Sequence, residues 1–149
     1  MNKRFFLTGL LTTIINLLLH TMAYFLILKD FFRSHPAGPE EFIKQLHRPP
    51  DQLIPWAMAA TSLLMGFFIT IVMKWSGART FISGLRKASV MGFLFWGSVN
   101  FGLYASSNFF SAASTFIDLA CSGMVMTISG AVAAWALGSG KASRGTKTT

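Results

Sequence analysis

The chain is poor in charge, in cysteine and in catalytic motifs. Only 12% of its 149 residues are Asp, Glu, Lys or Arg, whereas about a quarter of an ordinary globular chain is charged. The single cysteine, Cys121, excludes an intramolecular disulfide. The sequence shows no nucleophile–base arrangement, phosphate loop, dinucleotide fingerprint or metal motif. Haem would normally need two histidines in apolar stretches, and only His20 lies in one. We therefore predict no enzymatic activity, no cofactor and no metal.

Apolar sequence is what the chain has in abundance. Its residues are 52% hydrophobic and its mean hydropathy is +0.52, which is typical of an integral membrane protein. Four stretches reach the roughly 20 residues that a spanning helix needs; they lie at about residues 5–28, 53–73, 88–107 and 112–137. We expect an all-α fold, an integral membrane four-helix bundle. It would form one domain over residues 1–138, followed by a disordered basic tail at 139–149.

The first apolar stretch could also be read as a signal peptide, because Lys3 and Arg4 precede it. The run 5–28 is longer than the apolar region of a typical signal peptide. The only small-residue cleavage candidate, at Ala23, lies inside the run. We therefore expect a retained transmembrane helix.

The basic residues between the stretches predict the orientation. The N-terminus, the second connection and the tail together carry nine Lys and Arg residues and no acid, whereas the first connection carries four of each. By the positive-inside rule, the three basic segments face the cytoplasm. We expect a multi-pass protein of the bacterial inner (plasma) membrane, in contact with the lipid bilayer, with both termini cytoplasmic. The net charge of +8 does not indicate nucleic-acid binding, because the basic residues lie in short segments between apolar runs.

The first connection, about residues 29–52, lies outside in this topology. Its segment PEEFIKQLH predicts a short helix, since Pro39 suits a first helical turn and the two glutamates after it favour the positive end of the helix dipole. The apolar residues of this segment fall on one face, which indicates a helix lying at the membrane interface. His35 and His47 lie in the same connection without further ligands at metal-binding spacing, so we predict no metal site there.

Asp118 is the only acidic residue within an apolar stretch. A charge at the bilayer centre costs roughly 2.5 kcal/mol or more, so such a residue normally faces other helices and has a partner or a function. Folding the third and fourth stretches back on each other near residue 111 places Tyr104 level with Asp118. Counting turns at about 1.5 Å per residue brings His20 and Thr61 of the first two stretches to a similar depth.

The spacing of polar residues also indicates such a layer. Asn16 precedes His20 by one turn, and Asn100, Tyr104 and Asn108 repeat the four-residue interval on the third stretch. The first and last helices of an up-down bundle are neighbours, so His20 could meet Asp118. The candidates for ligand binding or proton relay are therefore Asp118, His20, Tyr104, Asn100, Asn16 and Asn108. The alternative is that these side chains only tie helices together, through bonds that average well under about 1 kcal/mol.

Small residues dominate the fourth stretch, where alanine, serine and glycine recur from Ala112 to Ala134. Small side chains let helices approach closely in a membrane. We therefore expect the fourth helix to be central, or to form the interface with a second copy or with another membrane protein.

The segment GFLFWGSVNFGLYASSN, followed by FIDLACSG, resembles the last two helices of small four-helix bacterial membrane proteins of unknown function. The similar elements are Gly92, Tyr104, Asn108, Asp118 and Gly123. The interval from Asn108 to Asp118 is shorter than in those proteins, and no Trp stands next to the glycine after the acid. The resemblance implies a four-helix fold and shared positions at Tyr104, Asn108 and Asp118, and it implies no activity.

Two functions remain open at this point. The first is a small carrier or binding protein that takes up a small polar solute, a cation or a proton at the polar layer around Asp118. The second is a non-catalytic accessory or assembly subunit of a larger membrane complex, in which Asp118 pairs with a partner. Water access to Asp118 distinguishes them, since a carrier needs a hydrated carboxylate and a scaffold needs a dry, paired one.

Overall fold

A computed structural model describes residues 3–46, 48 and 50–139, and every regular element in that part of the chain is helical. The all-α prediction is confirmed there; the predicted tail beyond 139 and His47 lie outside the described residues. The elements are α1 (Lys3–Ala23), a π-helical turn (Tyr24–Leu28), α2 (Lys29–Ser34), α3 (Glu40–Leu46), a short 3-10 turn (Pro50–Gln52), α4 (Pro55–Trp75), α5 (Phe81–Ser106) and α6 (Ala112–Gly138).

Two helix boundaries differ from the predicted ones. The first helix does not end at Leu28, because the π turn carries it without a break through α2. The third helix begins at Phe81, seven residues before the predicted start, because the Thr80 hydroxyl accepts a hydrogen bond from the Ser83 amide at 3.2 Å and caps it. Arg86 and Lys87, expected in a connection, therefore lie on α5.

In the described part of the chain, three helical segments are long and apolar enough to cross a membrane: Lys3–Ser34, Pro55–Trp75 and Ala112–Gly138. The predicted third span, α5, has 26 residues but is less apolar, since Asn100, Tyr104 and several glycines and serines interrupt it. Large apolar side chains cover much of the outer surface; Leu26, Leu64 and Leu94, for example, are each more than 70% exposed. Such a surface is expected where helices meet lipid.

The last helix, α6, is central, as its small residues predict. It contacts α1, α4 and α5, and it contributes many of the buried residues. Its small side chains bring α5 very close: a Cβ added to Gly84 would lie 2.9 Å from the Ala131 Cα. Ile69, Met73 and Met126 fill the core beside this contact.

One end of the packed helices collects the basic segments. The Arg4 guanidinium donates to the Ala136 carbonyl from Nε at 3.0 Å and from Nη2 at 2.7 Å. Gly138 lies against the carbonyl of Arg79, leaving no room for a side chain. The start of α1, the connection after α4 and the end of α6 therefore meet here, and we call this the basic end.

The opposite end joins α2 to the start of α6. The Ser111 and Ser114 hydroxyls lie 3.0 and 3.1 Å from the His35 carbonyl oxygen, within hydrogen-bonding distance. The Ser111 hydroxyl also caps α6, accepting from the Ser114 amide at 3.2 Å. We call this the cleft end, because an open cavity lies beside it. The predicted short helix is present as α3, beginning after Pro39, and Ile43 is its most buried apolar residue.

Candidate functional site

Asp118 lies on the second turn of α6, at the start of the helix that all the other long helices contact. The polar side chains of Asn100 and Ser122 lie close to its carboxylate, and His20 is near enough to interact with it electrostatically. Asp118 is half-buried. Three helices, α1, α5 and α6, therefore bring polar side chains to one carboxylate, and we call Asp118, Asn100, His20, Ser122 and Trp96 the Asp118 cluster.

Asn100 gives the Asp118 cluster an unused acceptor. Its side chain is 1% exposed, and its Nδ2 donates to the Trp96 carbonyl at 3.1 Å, while its Oδ1 has no hydrogen-bond partner. The Trp96 Nε1, also buried, has none either. Leaving a buried polar atom unpaired costs about 1–3 kcal/mol, so each such atom in a native protein calls for an explanation. A cation or a proton-bearing group would pair with the Asn100 Oδ1, whereas the Trp96 N–H would need an acceptor.

His20 is held in one tautomer by its own helix. Its Nδ1 lies 3.2 Å from the Asn16 carbonyl oxygen, which can only accept a hydrogen bond. Nδ1 therefore carries the proton in the neutral ring, and Nε2 keeps a lone pair that can accept one. The His20 ring also lies 5.8 Å, centroid to centroid, from the Trp96 ring. His20 is thus a second proton-accepting group beside the carboxylate.

Asn16 lies one turn before His20 on α1, toward the basic end. It is buried, and its Nδ2 donates to the Ser129 hydroxyl at 3.2 Å. This bond joins α1 to α6 one turn away from His20, and it confirms that the first and last helices are neighbours. Asn16 touches the Asp118 cluster only through its carbonyl oxygen, so its side chain has a structural role.

The remaining predicted members lie elsewhere. Tyr104 is 47% exposed, and Asn108 and Thr61 are exposed as well. For Tyr104 and Asn108, the reason is that α5 packs loosely beyond Asn100: every residue from 101 to 106 is exposed, although the Phe101 ring still lies 5.6 Å, centroid to centroid, from that of Phe116 on α6. Side chains at the same predicted membrane depth on four helices do not meet where one of those helices packs loosely against the others. The prediction that Tyr104 faces the interior is therefore wrong.

Sequence reasoning left Trp96 and Ser122 out of the candidate set. Both were within reach of the pattern, since Trp96 precedes Asn100 by one turn and Ser122 follows Asp118 by one turn. A tryptophan in an apolar stretch is normally interpreted as a packing residue. That the indole N–H of Trp96 has no hydrogen-bond partner is therefore evident only from the structure. Within the described part of the chain, no three His, Cys, Asp or Glu side chains are grouped to hold a metal ion.

A second feature lies at the cleft end. An open cavity of about 720 Å³ is bounded by the end of the first helix, by α3 and by the turn before α6. Tyr24, Phe32, Phe109 and Phe110 contribute aromatic walls, and Lys29 and Arg33 contribute cations. We call this cavity the aromatic cleft. The π turn, Tyr24–Leu28, lies between it and His20.

Comparisons of the chain with family models, with curated proteins and with solved structures find no match. The resemblance of the C-terminal half to small four-helix bacterial membrane proteins stays a prediction.

Proposed function

We propose that this is a small multi-pass membrane protein that binds a proton or a small cation at Asp118. The observation that carries the proposal is the buried Asn100 Oδ1, an acceptor without a partner beside a half-buried carboxylate. An intramembrane carboxylate of this kind normally marks an ion or proton pathway.

The ligand class follows from the chemistry of the groups in the Asp118 cluster. A carboxylate, an amide oxygen and a serine hydroxyl are hard oxygen ligands of the kind that small cations prefer. The free Nε2 of His20 offers an alternative place for a proton, and a protonated His20 would oppose a second cation near Asp118. A proton and a cation should therefore compete for the Asp118 cluster, so that binding of one lowers the affinity for the other.

The proposal includes a topology. All four long helices, α5 among them, cross a bacterial inner membrane, with the basic end in the cytoplasm and the cleft end outside. Cysteines introduced by Ser83→Cys and Gly38→Cys in a Cys121→Ala background test it. An impermeant thiol reagent added to intact cells should label the Gly38→Cys variant only. Labelling of the Ser83→Cys variant instead would reverse or refute the topology.

Infrared difference spectroscopy of the purified protein in lipid nanodiscs tests the site itself. Acidification should produce a protonated-carboxyl band that disappears in Asp118→Asn, and adding sodium, potassium or ammonium ions should reduce that band in the unmodified protein. Ser98→Ala, at an exposed position of α5, is the matched control and should behave as the unmodified protein does. An Asp118 signal that responds neither to pH nor to any of the cations would contradict the proposal.

A second candidate function rests on a different observation. The outer part of α5, residues 101–106, is largely exposed, with the Phe101 ring on that of Phe116 of α6, and a loosely packed helix in lipid gains from packing against another. An accessory subunit would use this segment, with Asp118 paired to a partner protein. Photo-crosslinking from Gly102 in native membranes would then capture one defined membrane protein, and Asp118→Asn would abolish the crosslink. Ion-dependent spectra without such a crosslink favour the first candidate.

A further inference from the structure

The aromatic cleft has the size and lining of a ligand site. Its volume of about 720 Å³ lies within the roughly 300–1,000 Å³ range of small-molecule pockets. Aromatic side chains from the first helix and from the turn before α6 form its walls, with Phe32 and Phe110 in contact at a centroid distance of 5.5 Å. The walls are therefore apolar and built from two separate parts of the chain.

The charges in the aromatic cleft are unbalanced. Lys29 and Arg33 stand one helical turn apart and both line it. Glu40 lines it too, but Lys44 donates to Glu40 at 2.8 Å and holds the pKa of that carboxyl below its usual value. That is the one ion pair among the described residues. The Glu40 charge is thus already compensated. Lys29 has an aromatic contact, its Nζ lying 5.9 Å from the centroid of the Phe25 ring, but among the described residues no second carboxylate lines the aromatic cleft to pair with Lys29 or Arg33.

The position of the cations matches a lipid headgroup. The continuous helix Lys3–Ser34 has 32 residues, so it is about 48 Å long at 1.5 Å per residue. The hydrocarbon core of a bilayer is only about 30 Å thick, so the helix extends well beyond it. Phe25 and Leu26, just before Lys29, are 61% and 72% exposed, as lipid-facing residues are. Lys29 and Arg33 therefore follow directly on the lipid-facing part of the helix.

We propose that the aromatic cleft binds an anionic phospholipid, with the phosphate between Lys29 and Arg33 and the glycerol and upper acyl chains against the aromatic walls. Arginine and lysine are the side chains that hold phosphate groups. Tyr24 lines the cleft on the side toward the exposed apolar residues, which gives the acyl chains a path into the bilayer. This binding site is independent of any ligand at Asp118.

Native mass spectrometry of the protein released from nanodiscs containing phosphatidylcholine and phosphatidylglycerol tests this inference. The unmodified protein should retain phosphatidylglycerol selectively. The Lys29→Gln/Arg33→Gln variant should lose that selectivity, by about fivefold for each cation removed. The matched control is Arg86→Gln/Lys87→Gln, which removes two cations near the other end, from exposed positions on α5, and should keep the selectivity.

Two results would overturn the inference. Equal retention of phosphatidylglycerol in the two double variants would show that general surface charge, and not the cleft, selects the lipid. Displacement of the lipid by inorganic phosphate at matched concentration would show that the site takes a free phosphate and that the apolar walls do not contribute. Unchanged thermal unfolding of Lys29→Gln/Arg33→Gln confirms that a loss of binding is not a loss of fold.

Discussion

At the basic end, the Cβ that Gly84 lacks would lie 2.9 Å from the backbone of α6, whereas nothing lies within 4 Å of the Cβ that Gly102 lacks on the same helix. Around Gly84, small residues and the buried Ile69 and Met73 form a dense core. Around Gly102, every residue from 101 to 106 is exposed. One helix thus has two differently packed parts: its first half packs tightly against α6, and its last turns are loosely packed beyond Asn100.

This difference explains where each kind of polar residue is found. In the half near the basic end, buried hydroxyls are satisfied by neighbours, as where the Thr70 hydroxyl lies 3.2 Å from that of Thr12. In the other half, Asn100 Oδ1 and Trp96 Nε1 are buried and unpaired. Polar groups that only tie helices together are paired within the chain. Of the two unpaired atoms, the Asn100 Oδ1 is the acceptor that the proposed proton or cation would use.

The largest expected effect comes from filling the tight contact. Gly84→Leu should destabilise the protein by about 3 kcal/mol or more, since its side chain meets backbone that cannot move aside. Gly102→Leu is the control on the same helix, and it should be neutral or stabilising by up to about 1 kcal/mol, because leucine has the better helix propensity. Thermal unfolding in detergent measures both. Similar losses of stability in Gly84→Leu and Gly102→Leu would show that the two halves of α5 are packed equally tightly.

A smaller effect is expected from removing the carboxylate. Asp118→Asn keeps shape and hydrogen bonding, and Asp118→Leu removes a charge whose burial is costly. Both variants should fold, with Asp118→Leu melting at the same temperature as Asp118→Asn or above it, and both should lose ligand binding. If Asp118→Leu melts far below Asp118→Asn, the carboxylate mainly stabilises the helices and the ligand-site proposal fails.

The smallest effect is expected at Tyr104, because its side chain is half-exposed and lies outside the Asp118 cluster. Tyr104→Phe should change stability by no more than about 0.5 kcal/mol and leave the infrared signal of Asp118 unaltered. A clear shift of that signal would show that Tyr104 interacts with Asp118, as the spacing of the polar residues predicted.

Much of the fold could be predicted because a membrane restricts the choices. Backbone groups in lipid must be paired internally, so apolar stretches of this length form helices. The small residues of α6 likewise indicated its central position. The helix boundaries were less predictable. The Thr80 hydroxyl could have indicated a helix start near residue 81, but the two cations Arg86 and Lys87 indicated a connection instead. Nothing in the sequence marks the π turn, Tyr24–Leu28, or the extension of the first helix.

The Asp118 cluster could be predicted only in part. Counting turns brought Asp118 and His20 to one level, and the four-residue spacing added Asn100, because depth and helical face follow from the sequence. Tyr104 shares its helical face with Asn100 and its predicted depth with Asp118, yet it is exposed. Whether a helix packs along its whole length depends on the shapes of all its neighbours, and a depth count does not contain that information.

Thiol accessibility tests the central contrast most directly. In a Cys121→Ala background, Asp118→Cys places a thiol in the Asp118 cluster and Thr70→Cys places one in the dense half, where Thr70 is fully buried. We predict that a small cationic methanethiosulfonate reagent modifies the Asp118→Cys variant and leaves the Thr70→Cys variant unmodified in the folded protein. If the Asp118→Cys variant is unreactive, or if both variants react at the same rate, Asp118 does not lie in an accessible polar site and the proposed binding function is wrong.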